Sequence, residues 1–161
     1  MKQSTPSLNF TQALNSSVNN AFKTTGRARR SEFWWTQLVV YISSLVLTPF
    51  IGALLNIFTI PLTIRRLHDT GRSGWWWGAG ALFKIGFFVF FFIELIFISL
   101  NYKGISEDYQ TAAVFKATLK YIAFIICIAI YDIVILVFCC QDSDQEENKY
   151  GPSPKYVEEQ L

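Results

Sequence analysis

The sequence predicts an all-α fold: a polytopic helical membrane protein with four transmembrane segments in two hairpins, plus an N-terminal interfacial helix. Of its 161 residues, 52% are hydrophobic and only 16% are charged, whereas a soluble domain carries about 25% charged residues. The apolar residues are gathered in long blocks, and every arginine lies in a short polar stretch before or between them. This composition excludes a disordered chain, a collagen-like repeat and an ordinary soluble enzyme. The length allows one compact domain.

The N-terminal segment, residues 1–24, is polar but carries apolar side chains at a spacing of four. Phe10, Leu14, Val18 and Phe22 therefore share one face of a helix. The segment lacks the continuous apolar core of a cleaved signal peptide. We expect a retained amphipathic helix at the membrane interface, with a solvent-exposed helix as the alternative.

An integral membrane domain is predicted over residues 25–140, with approximate spans at 32–48, 50–66, 76–100 and 119–140. The first apolar block, 33–64, has no charged residue, and as one straight helix it would be about 48 Å long. The hydrocarbon core of a bilayer is only about 30 Å thick. Arginines flank the block at both ends, so the positive-inside rule favours a hairpin that turns near Thr48, Pro49 and Gly52. One kinked span is the alternative.

The distribution of charge predicts the orientation in the membrane. If both termini are cytosolic, all six arginines fall on the cytosolic side and the polar stretch 101–118 forms an outer loop. The five tryptophans open the first and third spans on the same cytosolic side, as an aromatic belt does. Residues 141–161 are expected to form an acidic cytosolic tail, in which two prolines argue against a packed helix.

Three segments carry a resemblance to a known family: GRARRSEFWW at 26–35, RRLHDTGRSGWW at 65–76 and ENKYGPSP at 147–154. In this order they resemble the bacterial "domain of unknown function 805" (DUF805) family of small inner-membrane proteins. The resemblance implies a multi-pass helical domain in the bacterial inner membrane, and it supplies no established activity, substrate or catalytic residue. The first hairpin looks shorter, and the stretch 84–120 longer, than in compact members of the family.

The densest group of polar and aromatic residues, here termed the Arg/Trp face, is expected to bind anionic lipid headgroups or a partner protein. Its members are Arg27, Arg29, Arg30, Arg65, Arg66, His68, Asp69, Arg72, Trp34, Trp35, Trp75 and Trp76. We favour a non-enzymatic role, with no catalytic residue, cofactor, metal site or nucleic-acid partner. Proton transfer by His68 and Asp69 on a phosphorylated headgroup ranks last, because adjacent residues do not face each other on a helix. Because the acidic tail would compete with lipid for the arginines, its removal is expected to strengthen lipid binding.

Three ionisable residues, Lys84, Glu94 and Asp132, lie inside the apolar blocks. Leaving such a charge unpaired in the membrane costs about 3 kcal/mol. Lys84 and Asp132 lie at similar distances from the cytosolic ends of the third and fourth spans, so antiparallel helices would pair them. Glu94 is placed to reach outward toward Lys120. The alternative function is a small transporter or channel component that uses these three residues as a proton or ion relay.

Overall fold

The computed structural model describes residues 2–47, 49–101 and 107–158, which form five α-helices and a two-stranded antiparallel sheet. The predicted helical class is therefore confirmed. The elements in chain order are β1 (Lys2–Ser4), α1 (Phe10–Asn19), α2 (Arg30–Val46), α3 (Pro49–Asp69), α4 (Trp75–Asn101), α5 (Glu107–Cys140) and β2 (Tyr156–Glu158).

Three helices in the described part of the chain are long and apolar enough to cross a membrane. They cover Phe50–Asp69, Trp75–Asn101 and Tyr109–Cys140. The fourth predicted span falls on α2, which has 17 residues and is therefore about 25 Å long. By length and composition, the structure supports three of the four predicted spans.

The α5 helix differs from its prediction at its N-terminal end. It begins at Glu107, so residues 107–118 are helical, although the sequence analysis placed them in an outer loop. This stretch contains no glycine or proline and includes alanine, lysine and glutamine, which favour helix. Its polar side chains indicated a break in the apolar block but did not determine the backbone conformation.

The chain divides into two compact units, Met1–Trp77 with Leu136–Leu161 and Gly78–Ile135. In the first unit, α2 and α3 pack against each other in antiparallel directions. Glu32 meets Arg65 near one end of the pair, and Gly52 lies against Ser44 near the other, where any Cβ on Gly52 would overlap the Ser44 side chain. The first apolar block therefore forms a helical hairpin and not one kinked span. Pro49 begins α3, and Thr48 lies outside the described residues.

The α1 helix packs on α2 through small residues. Asn9 and Gln12 form a reciprocal capping box at its start, which supplies acceptors for otherwise unpaired backbone donors. Ala13 and Ser17 are buried, and Ser17 Oγ lies 2.6 Å from Thr36 Oγ1. Only part of the predicted apolar stripe joins this contact: the Phe10 ring packs edge-on against Trp35 of α2 with centroids 5.5 Å apart, whereas Val18 is 73% exposed.

In the second unit, α4 and α5 run antiparallel and meet through large side chains. The Phe87 and Phe124 ring centroids are 5.3 Å apart, and those of Phe91 and Tyr121 are 4.8 Å apart. Gly80 lies against the Tyr131 ring, in a space that a Cβ would fill. Almost all of the apolar surface of these two helices is exposed in the isolated chain, as expected of segments that lie in hydrocarbon.

Candidate functional site

The centre of the first unit is a buried carboxylate, Asp69, at the last position of α3. Its Oδ1 accepts a hydrogen bond from Arg27 Nε at 2.9 Å. Its Oδ2 accepts from Arg66 Nη1 and from Ser143 Oγ. These four residues form what we call the Asp69 cluster. Two guanidiniums and one hydroxyl thus neutralise and solvate a carboxylate that water does not reach, which is the condition for burying a charge.

Backbone carbonyls at the end of α5 and in the segment that follows it accept most of the remaining hydrogen bonds from the two arginines. Arg27 donates from Nη1 to Glu146 O at 2.8 Å and from Nη2 to Asp144 O at 2.6 Å. Arg66 donates from Nε to Cys139 O at 3.0 Å and from Nη2 to the carbonyl of Gln141. The five donors of a guanidinium, held in a rigid plane, suit this kind of multiple contact.

The segment that follows α5 is therefore an integral part of the first unit. Asp144 N donates to Asp69 O at 3.1 Å, and Asn148 Nδ2 donates to His68 O at 3.0 Å. Gly151, whose carbonyl also accepts from Arg27, has a φ of +117° that favours glycine. Beyond it, β2 pairs with β1 in antiparallel register. Residues 141–158 of the predicted acidic tail are thus packed and hydrogen-bonded, mainly through main-chain oxygens.

His68 and Asp69 are adjacent in sequence but have separate partners in the structure. His68 Nδ1 lies 3.2 Å from Gly26 O, and the imidazole stacks on the Tyr150 ring with centroids 3.7 Å apart. Both Asp69 oxygens accept from the Asp69 cluster. Asp69 is therefore not arranged to orient His68 for proton transfer, which requires a direct hydrogen bond or one through water.

A second buried ion pair lies beside the Asp69 cluster. Arg65 Nη2 donates to Glu32 Oε1 at 3.0 Å, and both side chains are almost fully buried. The Nε atom of Arg65 is buried without a hydrogen-bond partner among the described residues. Glu32 was not among the predicted site residues. An acidic residue at the start of an apolar span nevertheless indicates that a cation lies nearby.

Within the described part of the chain, the Arg29 guanidinium donates to neutral oxygens. Its Nε donates to Pro154 O at 2.6 Å, its Nη1 donates to Pro6 O at 2.7 Å, and its Nη2 donates to the hydroxyl of Thr5. Burial lowers the pKa of this guanidinium, and the nearby carboxylates of Asp69 and Glu32 oppose that shift. Arg29 thus joins the two ends of the chain.

The residues of the Arg/Trp face differ in how far they are buried. Arg27, Arg65, Arg66, His68 and Asp69 are buried, and Arg29 is half-buried. The exposed subset, as we call it, comprises exposed Arg30, half-buried Arg72, and the exposed tryptophans Trp34, Trp35, Trp75 and Trp76. Arg72 lies over the Phe138 ring at 4.0 Å. Sequence reasoning located the cluster but missed its internal acceptors, the carbonyls after Cys139 and the Ser143 hydroxyl.

The second unit pairs all three charges of the apolar blocks. Lys84 Nζ donates to Asp132 Oδ1 at 2.7 Å, which is the contact that their similar depth predicts. Lys120 Nζ donates to Glu94 Oε1 at 2.6 Å, and the Tyr121 hydroxyl donates to Glu94 Oε2. Pairing removes much of the cost of holding these charges at membrane depth.

Long apolar helices attached to a buried arginine–carboxylate cluster define a small helical integral membrane protein. The chain belongs to the family described as "Protein of unknown function (DUF805)", which matches residues 43–152. It is 27% identical over 148 residues to inner membrane protein YhaH of Escherichia coli K12, with 81% of this chain and 85% of that protein covered. It is 26% identical over 145 residues to inner membrane protein YhaI of the same strain, with the same coverage. No solved structure matches the chain.

Proposed function

We propose that this protein is a non-enzymatic, four-span inner-membrane protein with both termini in the cytosol, whose exposed subset of arginines and tryptophans binds anionic lipid headgroups. The observation that carries the proposal is the exposure of tryptophan pairs at the starts of α2 and α4, with Arg30 and Arg72 close by in sequence. Tryptophan favours the headgroup level of a bilayer. Arginine is attracted to an anionic leaflet by about 1 kcal/mol per residue.

The pairing of the chain ends supports four crossings. Because β1 pairs with β2, both ends lie on the same side of any membrane that the chain crosses, so the number of crossings is even. The helices α3, α4 and α5 alone would give three. The α2 helix then supplies the fourth crossing, and its length of about 25 Å suffices if Trp34 and Trp35 occupy the interfacial layer.

The cytosolic placement of both termini rests on the arginines. Every arginine lies in the first unit, and cytosolic segments next to spans carry the excess of arginine and lysine. Four of these arginines already donate to protein groups: Arg27, Arg29, Arg65 and Arg66. Lipid attraction therefore depends on Arg30 and Arg72, while the Asp69 cluster holds the surface in shape.

Native mass spectrometry of the full chain in neutral detergent tests lipid binding. Equal amounts of phosphatidylglycerol and phosphatidylcholine are added, and the retained lipids are counted. We expect phosphatidylglycerol to be preferred, and Arg30→Gln with Arg72→Gln to weaken its apparent affinity about tenfold. Lys116→Gln with Lys149→Gln removes two cations outside the exposed subset and serves as the matched control.

Equal retention of the two lipids, or equal losses in the two double variants, would contradict the proposal. Proton flux in liposomes that is lost in Asp132→Asn would instead favour the transporter or channel component. That alternative relies on Lys84, Glu94 and Asp132, all of which are paired in the second unit.

A further inference from the structure

A cavity of about 340 Å³ lies in the first unit, next to the Arg65–Glu32 pair. Its walls include four cationic side chains and one carboxylate: Lys23, Arg27, Arg29, Arg65 and Glu32. The volume falls at the lower end of the range for small-molecule sites, about 300–1,000 Å³. The cavity can therefore hold a small polar ligand.

The cations around the cavity are only partly balanced. Arg27 is paired with Asp69, and Arg65 is paired with Glu32. Arg29 donates only to neutral oxygens, and Lys23 forms no ion pair within the described ranges. Among the residues that the structure describes, two positive charges beside the cavity thus have no counter-ion.

Arg65, which lines the cavity, also has one donor without an acceptor among the described residues. Arg65 is only 4% exposed, and its buried Nε has no partner in the part of the chain that the structure describes. Buried polar groups in folded proteins are almost always hydrogen-bonded. Desolvation lowers the pKa of Arg29, and an anion beside that guanidinium would offset the effect.

We propose that this cavity binds a phosphate monoester or inorganic phosphate. Such a group carries a charge of about −1.5 to −2 at pH 7 and three strong acceptor oxygens, which suit Arg29 and Lys23, two cations at the cavity that form no ion pair among the described residues. The Glu32 carboxylate is already bound by Arg65 and forms one wall of the site. The source is either a free phosphate compound or the phosphate monoester headgroup of phosphatidic acid. The proposal does not depend on lipid binding by the exposed subset.

Thermal unfolding of the full chain in neutral detergent measures the binding. Inorganic phosphate is titrated at pH 7.5 against potassium chloride of equal ionic strength. We expect phosphate to raise the Tm above the chloride control. Lys23→Gln, at an exposed position, should weaken the apparent phosphate affinity about fivefold. Lys149→Gln, which removes an exposed cation outside the cavity, should leave it unchanged.

A parallel titration with short-chain phosphatidic acid distinguishes the sources. Stabilisation at much lower concentration than phosphate, and weakened by Lys23→Gln, identifies a lipid headgroup; similar concentrations identify a free phosphate compound. The absence of phosphate-specific stabilisation with both probes would overturn the proposal. Equal stabilisation of the parent protein and Lys23→Gln would also overturn it. The Arg30→Gln and Arg72→Gln variant should bind phosphate normally, so this test and the lipid test fail independently.

Discussion

Arg27 Nε lies 2.9 Å from Asp69 Oδ1, and this buried ion pair joins positions 42 residues apart in the chain. Arg27 belongs to the first of the three segments that resemble the family, and Asp69 to the second. Gly151 of the third segment supplies a carbonyl to the same guanidinium at 3.2 Å. The three segments therefore meet at one place. Arg27, Asp69 and Gly151 hold them together in the first unit.

Neutralising Asp69 should strongly destabilise the first unit. In Asp69→Asn, Arg27 and Arg66 lose their common counter-ion while both remain buried, and breaking a buried pair costs about 3–5 kcal/mol. We expect a large fall in the Tm of the purified full chain in detergent. Asp144→Asn changes an exposed carboxylate nearby and serves as the control. Similar shifts in the two variants would mean that the Asp69 charge has no special role.

The structure reverses the expectation for truncation after Cys140. Sequence analysis predicts stronger lipid binding, because acidic side chains are removed. The carbonyls of Gln141, Asp144 and Glu146, however, accept from buried guanidiniums, and unpaired buried donors cost about 1–3 kcal/mol each. We expect a low yield of monodisperse protein by size-exclusion chromatography, whereas truncation after Glu158 should preserve it. A folded truncate with higher affinity for phosphatidylglycerol would restore the original expectation.

Lys84 and Asp132 should be energetically coupled. Lys84→Leu or Asp132→Leu alone leaves a charge stranded in hydrocarbon, whereas the double variant leaves none. We therefore expect each single variant to lower the unfolding midpoint of the reconstituted protein more than the double variant does. The cycle of Lys84→Leu with Glu94→Leu supplies the control, because these residues have different partners. Additive losses in the Lys84 and Asp132 cycle would rule out their contact.

The exposed pair of Asp142 and Lys155 predicts a small pH dependence. The hydrogen bond that Lys155 donates to Asp142 lowers the pKa of Asp142 below 3.8 and raises the pKa of Lys155 above 10.5. The ion pair stabilises the folded state fully between the ordinary pKa values of the two groups, 3.8 for Asp142 and 10.5 for Lys155. This stabilisation is lost as pH falls through the folded pKa of Asp142 or rises through that of Lys155. For an exposed pair it is under about 1 kcal/mol.

The measurement is the difference in Tm between the parent protein and Asp142→Asn. We expect a small destabilisation of the variant at pH 6, which shrinks as the pH is lowered below about 4. A difference in Tm that grows on acidification would contradict a stabilising interaction between ionised Asp142 and Lys155.

The proposed topology is checked by cysteine accessibility. In a background without native cysteines, Ser73→Cys should react with an impermeant maleimide from the cytosolic side, and Ser106→Cys from the opposite side. This follows from an even number of crossings with both termini inside. Labelling of both sites from one face would refute the four-span arrangement.

Most helix boundaries were predictable because their signals are local. Long apolar blocks mark α2 to α5, and proline at the start of α3 favours a turn before it. The small-residue contact of α1 was less visible, because Ala13 and Ser17 contribute little to an apolar pattern. Small residues let helices approach closely even when only part of a larger apolar stripe joins the contact.

The burial of the arginine side chains could not be predicted from the sequence. Arginine next to a span typically marks a surface on lipid headgroups, yet Arg27 and Arg66 are buried. Their acceptors are mostly main-chain carbonyls that lie 73 to 124 positions away. Every residue has a carbonyl, so no pattern of side chains reveals such partners.

The contact between Arg27 and Gly151 also means that the hydrogen bonding of Arg27 is completed late in synthesis. The two residues are separated by 124 positions, which at a synthesis rate of about 5–20 residues per second corresponds to roughly 6–25 s. During that interval Arg27 can pair with Asp69, but it lacks the carbonyls of Asp144, Glu146 and Gly151. In the topology proposed above, arginines with incomplete hydrogen bonding would act first as positive-inside signals that orient the hairpins during insertion. Arg27 acquires its full set of acceptors only after residues 144–151 have been synthesised.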